Sequence, residues 1–115
     1  MNDNKRCAIA FICGRLINLS SKSYIYDRLS GYKNYSGSVS RERISVYDYQ
    51  RNNYLSGSPR SLFDYSSNHY VSLRISGTKI NGYDYEHNSY FQVCVSGTSI
   101  TVYDYLTNRY YYYSM

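Results

Sequence analysis

Four carboxylates recur in one local setting: Tyr47-Asp48-Tyr49, Phe63-Asp64-Tyr65, Tyr83-Asp84-Tyr85 and Tyr103-Asp104-Tyr105. Carboxylates arrayed along one edge of a sheet are the residue type for calcium coordination or, in pairs, for glycoside hydrolysis. Each is followed at fixed offsets by Asn and then Tyr: Asn52 and Tyr54, Asn68 and Tyr70, Asn88 and Tyr90, Asn108 and Tyr110. An Asp that opens a tight turn accepts backbone N–H bonds, and an Asn late in the turn tolerates a left-handed backbone. Catalysis needs one special site, whereas Asp48, Asp64, Asp84 and Asp104 are placed alike in every unit. The expected role of these Asp and Asn residues is therefore structural, along the turn edge.

His69 and His87 fall in loops on the same edge, near Arg51 and Arg109. No third ligand stands at a suggestive metal spacing. Nothing supplies a nucleophile in a defined setting beside Glu86-His87. Ser96-Gly97-Thr98 lacks the lysine and following helix of a phosphate-binding loop. The expectation is a non-enzyme with no metal and no cofactor.

The strongest candidate site is aromatic. The chain holds 18 Tyr, 3 Phe and no Trp, and tyrosine suits a half-buried pleated surface, with an apolar ring and a wet hydroxyl. One sheet face is expected to carry Tyr47, Tyr49, Tyr65, Tyr70, Tyr83, Tyr85, Tyr90, Tyr103, Tyr105 and Tyr110 together with Arg43, Arg74 and Lys79. Tyr and Arg are favoured at protein interfaces; rings beside cations also stack bases against phosphates, and rings stack sugars. Set beside these is the plain role of cross-strand tyrosine pairs, which stabilise a sheet by roughly 0.2–1 kcal/mol each. The order of expectation is a protein partner or self-association, then single-stranded nucleic acid, then carbohydrate. A formal charge of +5, from 13 Lys and Arg against 8 Asp and Glu, reads as spread over loops and both termini, too diffuse to promote nucleic acid further.

The elements that position these residues follow from periodicity. Gly37, Gly57, Gly77 and Gly97 recur every twenty residues, a period that marks a repeated supersecondary unit. In the best-preserved unit Phe91, Val93 and Val95 alternate with Tyr90, Gln92, Cys94 and Ser96, as in a strand. Gly97-Thr98 reads as a type II′ turn with glycine first. It places Val95 opposite Ile100, and Ile75 lies opposite Ile80 in the preceding unit. The next connection, Leu106 to Arg109, sets Tyr105 against Tyr110. Leu55 to Pro59 reads as a truncated hairpin, and Arg41-Glu42 replaces a glycine turn.

The string Ser99-Ile-Thr-Val-Tyr-Asp-Tyr105 resembles the outer hairpin of a WD-type propeller blade and a YD repeat of large secreted bacterial shells. Each likeness covers little more than a hairpin. A WD blade needs about forty residues and four strands, so this length cannot close that propeller. The glycine that follows a YD-type turn is here Asn. Both are convergent hairpin chemistry, and neither names a family.

The chain is expected to be one domain, 1–115, with a helix over 3–20 and hairpin repeats over 23–115. The fold class is mainly β: an up-and-down antiparallel meander of about ten short strands, strongly curled or barrel-like, with the helix packed on its aliphatic face. That face comprises Ile25, Val39, Ile44, Val46, Leu55, Leu62, Val71, Leu73, Ile75, Ile80, Phe91, Val93, Val95, Ile100 and Val102. At ~1.5–3 kcal/mol for each buried aliphatic side chain, it cannot stay wet. The helix, capped by Asp3, offers Ala8, Ile9, Ile12, Cys13, Leu16, Ile17 and Leu19 over a broad arc. A flat sheet would outrun that helix and call for a second copy, so a homodimer is the competing solution. Cys7, Cys13 and Cys94 have no disulfide spacing and fit free thiols of a cytoplasmic protein. The apolar run after Lys5-Arg6 is too short to span a bilayer, and no membrane partner is expected.

Overall fold

The computed structural model describes residues 1–115. One helix, α1 (Asp3–Asn18), precedes ten strands. These are β1 (Tyr24–Asp27), β2 (Gly31–Val39), β3 (Ile44–Asp48), β4 (Asn53–Ser58), β5 (Ser61–Asp64), β6 (His69–Ser76), β7 (Lys79–Asp84), β8 (Ser89–Ser96), β9 (Ser99–Asp104) and β10 (Arg109–Ser114). Each strand pairs antiparallel with its neighbours in the chain. β1 also pairs with β10, Tyr26 opposite Ser114 and Asp27 opposite Tyr113, so the meander closes into a barrel.

The helix occupies the interior. Every residue from Lys5 to Leu16 is buried, on all sides of α1, as required of a helix enclosed by sheet. The strand number fits this cargo. Ten strands at ~4.8 Å spacing, tilted by ~40°, close at a backbone radius of about 10 Å. A helix with side chains is about 10–12 Å across, which leaves one layer of inward side chains between the two. The closed barrel covers its own aliphatic face, so burial of that face needs no second copy.

Three local expectations are corrected. The helix is capped by Asn2, whose side chain accepts from the Lys5 amide at 2.8 Å, while Asp3 lies inside the first turn. It ends at Asn18, two residues short of the expected limit, because Leu19 adopts a left-handed backbone (φ 51°) and turns out to solvent. Tyr110 pairs with Tyr103, not Tyr105. The turn spans residues 105–108, closed by the Asn108 amide on the Asp104 carbonyl at 2.8 Å, so Tyr105 leaves the ladder.

The two ends of the barrel use different turns. Asn52, Asn68, Asn88 and Asn108 take φ 54°, 59°, 50° and 55° at one end, the left-handed positions expected of them. At the other end Gly77 (φ 63°) and Gly97 (φ 59°) begin two-residue turns, with Ile75 opposite Ile80 and Val95 opposite Ile100 as the sequence implies. Gly37 and Gly57 share the twenty-residue phase but lie within strands, where a Cβ would meet the Ser45 and Ser61 carbonyl oxygens. One spacing thus serves two purposes.

Inward residues are those of the expected aliphatic face, with Val39 and Ile75 only partly buried. Three tyrosines join them: Tyr35, whose ring stacks on Phe11 at 4.5 Å, Tyr113, and the partly buried Tyr111. Gly82 stands at an inward position whose missing side chain makes room for the Phe91 ring.

Cys7 and Cys13 lie on the enclosed helix and Cys94 is half-buried on the outer face of β8; all three are free thiols. Burial pushes the Cys7 thiol up to about 12 and raises that of Cys13 further. A thiol reagent at pH 8 should therefore label Cys94 alone in the native protein and all three cysteines in denaturant. Rapid native labelling of Cys7 or Cys13 would mean that the barrel does not seal the helix.

Candidate interaction surface

The four repeated aspartates occupy the last positions of β3, β5, β7 and β9, all at one end of the barrel. Asp27, ending β1, completes a ring of five. Each carboxylate accepts the backbone amide two residues on: Leu29 (2.9 Å), Gln50 (2.9 Å), Ser66 (3.3 Å), Glu86 (3.2 Å) and Leu106 (3.0 Å). That is the turn role expected of them. The fifth member escapes the motif because its turn, Arg28-Leu29-Ser30-Gly31, puts Gly31 (φ 88°) where the other turns carry Asn.

These carboxylates also face inward and are almost completely buried. Buried charge demands partners, and α1 and the β3–β4 turn supply cations for four of the five, while Asp27 accepts from the Leu29 amide and the Ser30 hydroxyl. Lys5 Nζ lies 2.7 Å from Asp84, 3.0 Å from Glu86 and 4.0 Å from Asp64. Arg6 reaches Asp104 at 3.1 Å and sits over the Tyr111 ring, 3.6 Å from its centroid. From the β3–β4 turn, Arg51 joins Asp48 (2.7 Å) to Asp64 (2.8 Å). Burial alone would lower the Arg6 and Arg51 guanidinium pKa values, but the hydrogen bonds that Arg6 donates to Asp3 and Asp104, and Arg51 to Asp64 and Asp48, outweigh it and both are raised. Burial would likewise raise Asp84; the bonds from Lys5 and His87 win and hold its carboxyl below the usual range.

Asp84, Glu86 and His87 bring ligand atoms within 4.8 Å of one another. This trio, spaced i, i+2 and i+3, went unrecognised in the sequence. The Lys5 ammonium already lies between the two carboxylates, and His87 Nδ1 is 2.9 Å from Asp84. The trio is part of the ion network. His69 stands apart at the start of β6, exposed, with Nδ1 2.7 Å from the Ser67 carbonyl.

Outside the same end runs a belt of aromatic triads. The residue before each of Asp48, Asp64, Asp84 and Asp104 is half-buried and is flanked edge-on by the residue after that Asp and by the Tyr of the next strand. Tyr47 meets Tyr49 and Tyr54, both at 4.9 Å; Phe63 meets Tyr65 (4.7 Å) and Tyr70 (4.9 Å). Tyr83 meets Tyr85 and Tyr90, both at 4.8 Å; Tyr103 meets Tyr105 and Tyr110, both at 4.7 Å. Tyr32 between Tyr24 and Tyr26 makes a looser fifth group. The flanking rings are about half exposed, 49% for Tyr70 to 64% for Tyr90. Tyr54 and Phe63, absent from the expected surface, are full members; the Asn-x-Tyr spacing already marked Tyr54.

No family model, curated protein or solved structure matches this chain.

The expected cations are dispersed relative to the belt. Arg74 lies on the outer face of β6, beside Tyr83 and Tyr90 along one shallow groove. Lys79 begins β7 and Arg43 sits in the β2–β3 loop, both at the opposite end of the barrel. The charge is also not diffuse. Asp3, the five ring aspartates and Glu86 gather at the helix N-terminal end, leaving Glu42 as the one acid at the other. Arg15, Lys22, Arg41, Arg43, Arg60 and Lys79 stand at that other end.

Removing one partner of a buried ion pair costs ~3–5 kcal/mol, mostly by stranding the other charge. Lys5→Met should destabilise by that order in urea unfolding. Lys5→Met combined with Asp84→Leu should cost clearly less than the sum of the two singles. The depressed Asp84 carboxyl supplies stability above its unfolded value near 3.9, lost as pH falls through its lower native value. Urea midpoints measured from pH 6 down to 2 should fall most steeply below about pH 4, and less steeply in the double variant.

Proposed function

We propose that this protein is a non-enzymatic binding or assembly module that docks a protein partner, or a second copy of itself, through the tyrosine belt. The observation that carries the reading is the facet between two adjacent triads. There a depression of about 330 Å³ is lined by Asn53, Tyr54, Ser56 and Tyr65. It is bounded by two half-exposed rings held edge-on by their triads, and it fits an apolar side chain of a partner. Tyrosines held in this way lose little conformational freedom on binding and are frequent hot-spot residues. Their exposure also distinguishes them from the central rings of the two triads, Tyr47 and Phe63, which are half-buried between them.

Two further features bear on this reading. The polar side chains with catalytic potential at the same end, Asp84, Glu86 and His87, are engaged with Lys5 or with one another. The helix carries two reduced, buried thiols, which suits a reducing compartment such as the cytoplasm. No helix is long and apolar enough to cross a membrane.

The test is a triple change, Tyr54→Ser, Tyr65→Ser and Tyr70→Ser, on one facet of the belt. Light scattering across a concentration series measures self-association, and affinity purification with both proteins identifies partners lost on substitution. Loss of a dimer, or of a defined partner, by at least thirtyfold (about 2 kcal/mol, the hot-spot level) with an unchanged circular dichroism spectrum is the expected result. A monomer at every concentration whose partners ignore the triple change would overturn the proposal.

A further inference from the structure

The barrel ends differ in charge, and the cationic end contains a groove. A depression of about 360 Å³ is lined by Arg41, Arg60 and Arg74 with Ser58 and Pro59. Arg41 comes from the β2–β3 loop, Arg60 from the β4–β5 turn and Arg74 from β6, so three separate elements converge there. None of the three arginines is within ion-pair distance of a carboxylate, in contrast to Arg6 and Arg51 at the other end. Seven of the eight acids lie at that other end, as set out above. An unpaired guanidinium cluster with Glu42 as the one acid at its end of the barrel has the geometry and the sign to hold phosphate.

A second observation gives the direction in which a ligand would run. Arg74 lines this depression and also a neighbouring one of about 250 Å³, whose other walls are Ser72, Asn81, Gly82, Tyr83 and Tyr90. The two share that one side chain and so adjoin at Arg74, giving a track from the outer face of β6 to β8 to the β4–β5 turn and the β2–β3 loop. It begins at an exposed tyrosine (Tyr90, 64% accessible) and ends among arginines. Gln92 and Asn81, bonded to each other at 3.0 Å on the adjoining ladder, present amide groups along it.

We infer that this track binds a short stretch of single-stranded nucleic acid, one base stacked on Tyr90 and successive phosphates on Arg74, Arg60 and Arg41. A stacking ring followed by guanidinium groups is the general arrangement of sequence-tolerant single-strand sites. A phosphopeptide or an anionic membrane would use the arginines but leave the tyrosine end of the track without a role. The inference is independent of the protein-docking reading, whose facet lies at Tyr54, Tyr65 and Tyr70.

The experiment is fluorescence anisotropy of the full chain with labelled twelve-nucleotide single strands of DNA and RNA, at salt from 50 to 300 mM. Three phosphate contacts predict a log–log salt slope of roughly −2. Arg41→Ala with Arg60→Ala and Arg74→Ala should weaken binding at least tenfold and flatten that slope. Arg28→Ala with Arg109→Ala, at the acidic end, should leave both unchanged. Tyr90→Ala should weaken binding about tenfold while the slope stays as in the parent. All substituted side chains are exposed, and circular dichroism verifies folding. Equal affinity for inorganic polyphosphate would overturn the stacking half of the site. Binding to vesicles of anionic lipid without binding to the oligonucleotides, or oligonucleotide binding indifferent to the three arginines, would overturn the whole.

Discussion

Five carboxylates point into the barrel, four of them paired with buried cations, and the fold is organised round that pairing. Each Asp must sit where it does to brace its turn, because its oxygen accepts the amide two residues later. The strand parity that sends Ile100 and Val102 inward sends Asp104 inward too. The helix therefore cannot be a purely apolar plug. It must enter the acidic end with cations, which is what Lys5 and Arg6 provide, and with its N-terminus, the positive end of the helix dipole. Polarity and register of the helix within the barrel are thereby set: a reversed helix would bring Leu16 and Ile17 to the carboxylates. Buried ion pairs add little net stability compared with apolar packing. Their value here is that they specify one arrangement of two otherwise greasy surfaces.

The same parity explains what was legible in the sequence and what was not. Strand number, the alternating faces, the glycine turns and the left-handed Asn positions follow from local rules of backbone and period, and they appear as expected. Inward Asp was equally available: Ile44, Val46 and Asp48 share one parity, as do Ile100, Val102 and Asp104. Reading each Asp only through its turn concealed that it also lies on the aliphatic face. With the carboxylates assigned inward, Lys5-Arg6 at the head of an apolar run becomes the obvious counter-charge. Closure by β1 on β10 was beyond local rules, since Tyr26 and Ser114 meet only when the tilt and stagger of all ten strands sum correctly. The slip of Tyr110 from Tyr105 to Tyr103 has a smaller cause. It depends on whether the residue after Asp belongs to the strand or the turn, and the carbonyl of Asp104 decides for the turn.

The aromatic belt is the outward counterpart of the carboxylate ring. In a strand ending with an inward Asp, the preceding residue points out, and the residue after the Asp swings back over it as the chain turns. An aromatic ring at each of those positions, Phe63 in β5 and Tyr in the other repeats, plus one on the returning strand, gives a central ring gripped edge-on by two others, a favoured aromatic geometry. Repetition round the barrel therefore yields the belt without further design. The surface candidates that the sequence placed correctly are the rings. Lys79 is on the outer face as expected but at the far end of the barrel, and Arg43 falls in the β2–β3 loop, because alternation assigns a face and says nothing about height along the barrel.

Height along the barrel is what separates the charges. Inward turn carboxylates can occur only at the end where odd strands finish, and they draw Lys5, Arg6 and Arg51 into a buried, largely neutralised network. The opposite end closes with two-residue glycine turns and short loops that need no Asp. Cations located there have no acids to meet, apart from Glu42. A formal charge of +5 thus understates the field that a ligand would experience at that end. The acids that lower the sum are on the far side of the molecule, more than two Debye lengths away in physiological salt for a particle about 28 Å across. Net charge alone pointed to a diffuse, indifferent surface. The distribution enforced by the turn chemistry makes one end a cationic site and ties it, through Arg74, to the edge of the tyrosine belt.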